Sequence, residues 1–367
     1  MSIFGPRRAK KGGKHMRSAP KKKAFPAVAC TVLSFLLLLT ACAPRSATVS
    51  GTSFAMGSLI TANVYTDEAT AATITGAVFK EIAALDGRIS ATDENSEIAA
   101  LNRGETVTLT PDTLEMLRDT LSLGDSLGGQ MDITLGAVTS LWGFSSDEPR
   151  VPAPDEIETA LATRGADKIV FEGDRVTLAP GQRLDFGAVG KGEACDIART
   201  VLDTSFTVPA VFSVGGTVLL YGQKTDGPWS VGVRDPFGGA NDYCAVYTFT
   251  PEDGGDFCVV STSGSYEKSF TQNGKTYHHI IDPATGFPVE TALVSVTAVS
   301  YIGRWSDALS TALFVNGLND VSLGWIDEYL IGAAFIFADG GVWVSDGIRD
   351  GFRLEDTQRF HFIEYEP

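Results

Sequence analysis

Two periodicities alternate along this chain. Residues 58–65 alternate apolar and polar positions as a half-buried strand does. Ile74, Val78, Ile82 and Leu85 then recur at helical spacing, which predicts a helix over residues 69–85 with one face in the core. Thr110-Pro111-Asp112 reads as a helix start, with Thr110 as cap, Pro111 in the first turn and Leu114, Leu117 and Leu121 as the apolar stripe. Pro154-Asp155-Glu156 reads as another start. After Gly165 the pattern turns to strands, first as a hairpin over residues 168–178 that turns at Glu172-Gly173-Asp174. A helix over residues 192–202 follows, carried by Ala194, Ile197, Ala198 and Val201. Strands are expected over residues 210–214, 217–221 and 229–233, and a hairpin over residues 266–281 turning at Asn273-Gly274. Residues 293–301 read as a strand, 306–316 as a helix apolar nearly all round, and 331–337 with 342–344 as a closing pair. Helices inserted between mostly adjacent strands predict an α+β fold.

The amino terminus breaks this pattern. Residues 1–41 hold nine Lys or Arg and no acid, and their apolar run is centred on Phe35-Leu36-Leu37-Leu38-Leu39. A basic segment ahead of a short apolar one is a secretory signal, and this one is short for a membrane span. It ends Leu39-Thr40-Ala41-Cys42, which resembles a bacterial lipobox. The expectation is a leader over residues 1–41, a lipidated Cys42, a tether over residues 42–50, and a protein anchored on the extracytoplasmic face of the cell membrane. A plain signal peptide or an uncleaved anchor is the alternative.

Loss of the leader would leave 20 Lys+Arg against 45 Asp+Glu and move the net charge from −16 to −25. That argues against nucleic-acid binding, which needs basic surface to neutralise phosphates. It argues equally against electrostatic adhesion to anionic lipid, so the membrane tie falls to Cys42. Cys195, Cys244 and Cys258 remain beyond it, and an odd number allows at most one disulfide. Cys244 and Cys258 flank the loop 249–256 and are the expected pair, with buried free thiols as the alternative.

Candidate chemistry gathers in the last third. The chain has four histidines, and two adjoin in Tyr277-His278-His279-Ile280-Ile281-Asp282-Pro283-Ala284-Thr285-Gly286. An imidazole titrates near neutrality and can take a proton. On a strand the two would face opposite sides, which groups His279 with Tyr277 and Ile281; a strand histidine can equally be structural. Further on, Ser306-Asp307-Ala308-Leu309-Ser310-Thr311 would, as a helix, set Asp307 and Thr311 on one face. A carboxylate and a hydroxyl so stacked suit a hard cation such as Mg²⁺. The plainer alternative is an aspartate favoured near a helix start, with Thr311 bonding a backbone carbonyl. Leu184-Asp185-Phe186-Gly187-Ala188-Val189-Gly190-Lys191-Gly192-Glu193 reads as strand, glycines, helix, a geometry that offers N–H groups and Lys191 to an anion. Gly128-Gly129-Gln130-Met131-Asp132-Ile133-Thr134 with Leu141-Trp142-Gly143-Phe144 offers an apolar patch beside a carboxylate, which could flank a flat ring or be core.

The order of these blocks is more specific than any one of them. Met56-Gly57, Ala84-Leu85-Asp86, Ser96-Glu97-Ile98, Met131-Asp132-Ile133-Thr134, Leu184 to Gly192, Val214-Gly215-Gly216, Ser261-Thr262-Ser263-Gly264, His279-Ile280-Ile281-Asp282-Pro283 and Asp307-Ala308-Leu309-Ser310-Thr311 follow one another along residues 51–345. Together they resemble the ApbE family, the FAD:protein FMN transferases. The resemblance implies a single two-lobed catalytic domain of mixed and antiparallel sheets with flanking helices, over residues 51–362. It implies an enzyme that binds FAD with Mg²⁺ and moves FMN to a threonine or serine of a partner flavoprotein, releasing AMP. It further implies His279 as the base, Asp307, Thr311 and the Ala188 carbonyl as metal ligands, and Met56, Gln130, Met131, Asp132, Asp185, Lys191 and Ile281 as FAD contacts. One position departs from the family's pattern. Thr92 stands where an aromatic ring is common, which leaves open a Mg²⁺-dependent FAD pyrophosphatase yielding FMN and AMP. A flavin-binding lipoprotein without chemistry is the reading from another class.

Overall fold

The computed structural model describes residues 47–239, 241–251 and 256–365. The leader and Cys42 lie outside the described residues. The chain runs β1 (Ala47–Ala55), β2 (Ser58–Thr66), α1 (Glu68–Ile89), α2 (Glu97–Asn102), β3 (Val107–Thr108), α3 (Pro111–Ser126), α4 (Gly136–Trp142), α5 (Pro154–Leu161), β4 (Val170–Glu172) and β5 (Arg175–Thr177). It continues through α6 (Gly190–Ser205), β6 (Ala210–Val214), β7 (Thr217–Tyr221), β8 (Trp229–Arg234), β9 (Tyr243–Phe249), β10 (Phe257–Gly264), β11 (Ser269–Gln272) and β12 (Lys275–His278). It ends with β13 (Leu293–Ser300), α7 (Gly303–Asn316), α8 (Asp320–Tyr329), β14 (Gly332–Phe337), β15 (Gly341–Val344), α9 (Asp346–Arg349), β16 (Phe352–Leu354) and β17 (His361–Phe362).

Nine strands form one sheet in the order β1-β2-β6-β7-β10-β13-β14-β15-β17, antiparallel except for the last pair. Strand alternation sorts its two faces. Val259 and Leu219 turn toward α1, α6 and α7 and join the main core with Ile74, Ala198 and Leu309. Their neighbours Cys258, Val260 and Leu220 turn the other way and pack under the small sheet β16-β9-β8, against Trp229, Ala245 and Tyr247. The α+β expectation holds, as helices cover one face of a largely antiparallel sheet and strands cover the other.

Several elements differ from the sequence reading. Residues 47–50 lie in β1 and pair with β2 from Ala47↔Thr66 onward, so this part of the expected tether is sheet. Thr110 does occupy the cap position of α3, but its hydroxyl meets Glu97 and Thr113 instead of the helix's own N–H groups. The buried face of α3 is Met116, Leu117 and Leu123, with Leu114 and Leu121 only half-buried at its edge. The Cys244–Cys258 disulfide is not formed: both thiols are free and buried. They stand on strands of different sheets, and the Cys244 thiol turns back to the Val233 and Arg234 carbonyls, 3.6 Å from each.

Helices α6 and α7 cross where both carry glycine. A Cβ on Gly192 would overlap the Gly303 carbonyl, and one on Gly303 would overlap the Gly192 carbonyl. This contact brings the start of α6 against the first two turns of α7, the ground on which the site is built.

Candidate functional site

The Asp196 carboxylate fixes the start of α7. It accepts the N–H groups of Gly303 at 2.8 Å and Arg304 at 2.9 Å, two of the donors that a helix start leaves unpaired. The Arg304 side chain clamps outward to Glu193 at 2.7 Å and Asp119 at 2.9 Å. Ser306 donates to carbonyls of two central strands, Val259 and Ala298, and pins the helix to the sheet. One residue on, Asp307 is 3 % exposed and points at the start of α6.

Asp307 is the hub of the site. Its carboxylate takes the Gly192 N–H at 3.0 Å, lies 3.1 Å from Lys191 Nζ, and is 3.4 Å from the Thr217 hydroxyl. Gly192 is the third residue of α6, so its N–H is one of the donors that a helix start leaves unpaired. Here that N–H is turned to Asp307, and the Ala188 carbonyl accepts no hydrogen bond among the described residues. Thr311 follows Asp307 by one helical turn, as expected, and its hydroxyl is 3.2 Å from Ser263 Oγ on β10. The available donors are therefore a carboxylate, a hydroxyl and an unpaired carbonyl, an all-oxygen set that suits a hard cation. Among the described residues no three His, Cys, Asp or Glu side chains cluster as a metal cage.

Met56 and Lys191 belong to the same constellation. Met56 sits in the β1–β2 turn with φ 55°, a left-handed conformation that is costly without glycine. Its N–H is held by the Asp86 carboxylate at 2.8 Å, and its methyl lies over Gly190, where a Cβ would be 2.7 Å away. Lys191 Nζ also donates to the Gly187 carbonyl at 3.2 Å. The lysine stem passes over Gly215 of the β6–β7 turn, where φ is +59°.

Asp185 looks the other way. Its N–H donates to the Ile133 carbonyl, while its carboxylate accepts the Thr139 hydroxyl at 2.8 Å and the Gly187 N–H at 2.9 Å. Met131 and Asp132 line a cavity of about 380 Å³ together with Thr120, Leu121, Gly128 and Gly129. That cavity does not include His279, Asp307 or Thr311. Asp132 is engaged by the backbone and hydroxyl of Thr134 at 2.8 and 2.6 Å, and Gln130 neighbours the cavity with no side-chain bond among the described residues.

The two histidines divide, though not by alternation. β12 stops at His278, so strand alternation does not reach His279 or Ile281. His278 Nε2 lies 3.0 Å from the Val289 carbonyl, and its ring meets Phe314 edge-on at 5.8 Å, which makes it structural. His279 Nδ1 is buried without a partner. Burial, with the charges of Lys268 and Lys191 and the neighbouring His278, pulls its imidazole down to about 3, so the ring is neutral at pH 7. Ile281 is buried beside Trp142 and Leu135, which leaves only its backbone to meet a ligand. Asp282 and Thr285 close a tight turn on each other, with Thr285 Oγ1 3.1 Å from Asp282 Oδ2. Trp142 Nε1 donates to the Gly286 carbonyl at 2.9 Å and so ties that turn to α4.

Of the residues the sequence singles out, the structure brings Asp307 against Lys191 at the start of α6, sets Thr311 one turn further along α7, and places Met56 over the neighbouring Gly190, with the charge of Lys191 felt at His279. The sequence reading gave no task to Asp86, Ser263, Thr217 or Asp196. Asp86 and Ser263 are visible in sequence only as members of motif blocks, because their partners are 30 and 48 residues distant along the chain.

Comparison with known proteins bears on the family of the chain. The ApbE family profile matches residues 56–335. An FAD:protein FMN transferase of Treponema pallidum is 32% identical over 291 residues, covering 74% of this chain and 78% of that protein. The one of Salmonella typhimurium is 29% identical over 313 residues, covering 81% and 88%. Among solved structures, an ApbE protein of Thermotoga maritima superposes with a TM-score of 0.76 at 29% identity, covering 83% of this chain and 99% of that one. A profile match over most of the described chain, a relative above 30% identity and a shared fold make this protein a member of the ApbE family.

Proposed function

We propose that this protein transfers FMN from FAD to a threonine or serine hydroxyl of a partner flavoprotein, with AMP as the leaving group. The names of its relatives support flavin transfer. The observation that carries the finer reading is the carboxylate–hydroxyl pair of Asp307 and Thr311 one turn apart on α7, with the Ala188 carbonyl accepting no hydrogen bond among the described residues just ahead of the α6 start that Asp307 caps. Those three oxygens would hold Mg²⁺. When bound, the ion would neutralise charge on the pyrophosphate as the transition state forms.

The chain's own groups supply the rest. Lys191 brings a positive charge to the same edge, suited to a phosphate oxygen. His279, neutral and with Nδ1 unpaired, takes the proton of the acceptor hydroxyl as its oxygen bonds to the FMN phosphorus. The bond broken is the phosphorus–oxygen bond to AMP. Met56, Gln130, Met131, Asp132, Asp185 and the Ile281 backbone are the proposed FAD contacts. Transfer prevails over hydrolysis when the partner hydroxyl is positioned and water is kept out.

Incubation with FAD, Mg²⁺ and a threonine-bearing acceptor protein tests this. The acceptor should acquire covalent flavin fluorescence; free FMN accumulating beside an unlabelled acceptor would overturn transfer. That second outcome is the pyrophosphatase reading, which the exposed Thr92 favours, because a short side chain there leaves the flavin side open to water. The basic leader and the Leu39-Thr40-Ala41-Cys42 segment support a lipid anchor at Cys42 on the extracytoplasmic face of the membrane. Radiolabelled palmitate incorporation that persists in Cys42→Ala would refute it.

A further inference from the structure

Three hydroxyls run from the outer face of α7 back into the same helix. Thr311 Oγ1 is 3.2 Å from Ser263 Oγ, Ser263 Oγ is 2.8 Å from Ser310 Oγ, and Ser310 Oγ donates to the Asp307 carbonyl at 2.8 Å. Each hydroxyl has one proton. A carbonyl only accepts, so the last bond uses the proton of Ser310. Ser310 Oγ must then accept from Ser263, which uses the proton of Ser263. Ser263 Oγ must in turn accept from Thr311. The chain of bonds has a single polarity, and it directs the Thr311 proton toward β10 and leaves the lone pairs of Thr311 clear of it.

We propose that Ser263, backed by the fully buried Ser310, is a positioning residue that holds Thr311 as an oxygen donor toward a divalent cation. The inference rests on the metal reading of Asp307 and Thr311 given above. A hydroxyl donating its proton toward a cation site would oppose an ion there; one whose proton is drawn away presents only negative charge. This is the hydroxyl counterpart of the outer-shell partners that orient metal-bound imidazoles and carboxylates. The neighbouring Thr262 provides an internal control. It lies on the same strand but bonds Thr297 at 2.9 Å and takes no part in the relay.

The test is Mg²⁺ titration by calorimetry on the full chain without FAD, with thermal unfolding of each variant alongside. Ser263→Ala is expected to weaken Mg²⁺ binding by roughly 10- to 100-fold, the usual loss for an outer-shell partner. Ser263→Thr, which restores the hydroxyl, should recover most of that loss, and Thr262→Ala should bind as wild type does. Ser263→Cys keeps the volume but accepts hydrogen bonds weakly, so it should follow alanine and serves if the alanine variant fails to fold. Wild-type affinity in both Ser263→Ala and Ser263→Cys, while Asp307→Ala loses binding, would overturn this inference and leave the metal reading standing. No Mg²⁺ binding by the wild-type chain would remove both.

Discussion

The carboxylate of Asp307 accepts the backbone N–H of Gly192 at 3.0 Å, across 115 residues of chain. One bond thereby does two things. It locks the first turn of α6 to α7, and it satisfies one of the N–H groups that the start of α6 leaves unpaired.

Replacing Asp307 by alanine should therefore cost more than a ligand. The Gly192 N–H loses its acceptor, at about 1–3 kcal/mol for a buried orphaned donor, and the half-buried Lys191 ammonium keeps only the Gly187 carbonyl. Mg²⁺ affinity should vanish and flavin transfer should fall about 100-fold or more. Calorimetric titration with Mg²⁺ and a covalent-flavin assay check the two effects separately; a variant that keeps metal-dependent transfer would remove Asp307 from the site.

Gly192→Ala tests the crossing itself. The new Cβ would meet the Gly303 carbonyl and the Asp307 side chain at once, and backbone cannot yield as a flexible side chain does. We expect a loss of stability of about 1–3 kcal/mol or more in urea unfolding, with transfer reduced even where the fold survives. Gly87→Ala, on an open helical surface with nothing near its Cβ, should be neutral or mildly stabilising by comparison.

What could be read in the sequence follows from the range over which each signal acts. The i, i+4 spacing of Asp307 and Thr311 is local, and both residues stand one turn apart on α7 as that spacing requires. Strand alternation predicts the division of His278 from His279, but the strand ends at His278 and hydrogen bonding separates the two rings instead: His278 Nε2 meets the Val289 carbonyl, whereas His279 Nδ1 has no partner among the described residues. Ser263, Asp86 and Asp196 act on residues 30 to 108 positions away, and no local pattern carries such pairings. The cysteine expectation failed for a related reason. Proximity of Cys244 and Cys258 along the chain says nothing about which sheet each strand joins.

The thiols make a direct check on that topology. Cys195, Cys244 and Cys258 are free and buried, and burial pushes the Cys244 thiol up to about 12. In a chain starting at residue 43, the native protein should react negligibly with a thiol reagent at neutral pH, since the thiolate is the reactive form. Denaturation without reductant should release three thiols. Release of a single thiol would mean that Cys244 and Cys258 are bridged after all.

His279 ties stability to pH in a direction that can be worked out. Its folded value, about 3, lies below the ordinary imidazole value of 6.5, so the unfolded chain holds the proton more readily between the two. Stability therefore rises with pH across that window: the contribution is complete above 6.5 and is lost as the pH falls toward 3. Other groups titrate there too, so the informative quantity is a difference between variants. Going from pH 7.5 to 4.5, the fall in urea-unfolding free energy should be smaller in His279→Gln than in wild type by on the order of 2 kcal/mol. The same neutral ring predicts that transfer keeps its rate through pH 6.5, with no acid limb there from this group. His279→Ala should still bind FAD while transfer drops roughly 100- to 10,000-fold, the range expected for loss of a general base. A variant that transfers flavin at the wild-type rate would make the buried, unpaired Nδ1 of His279 a matter of packing alone.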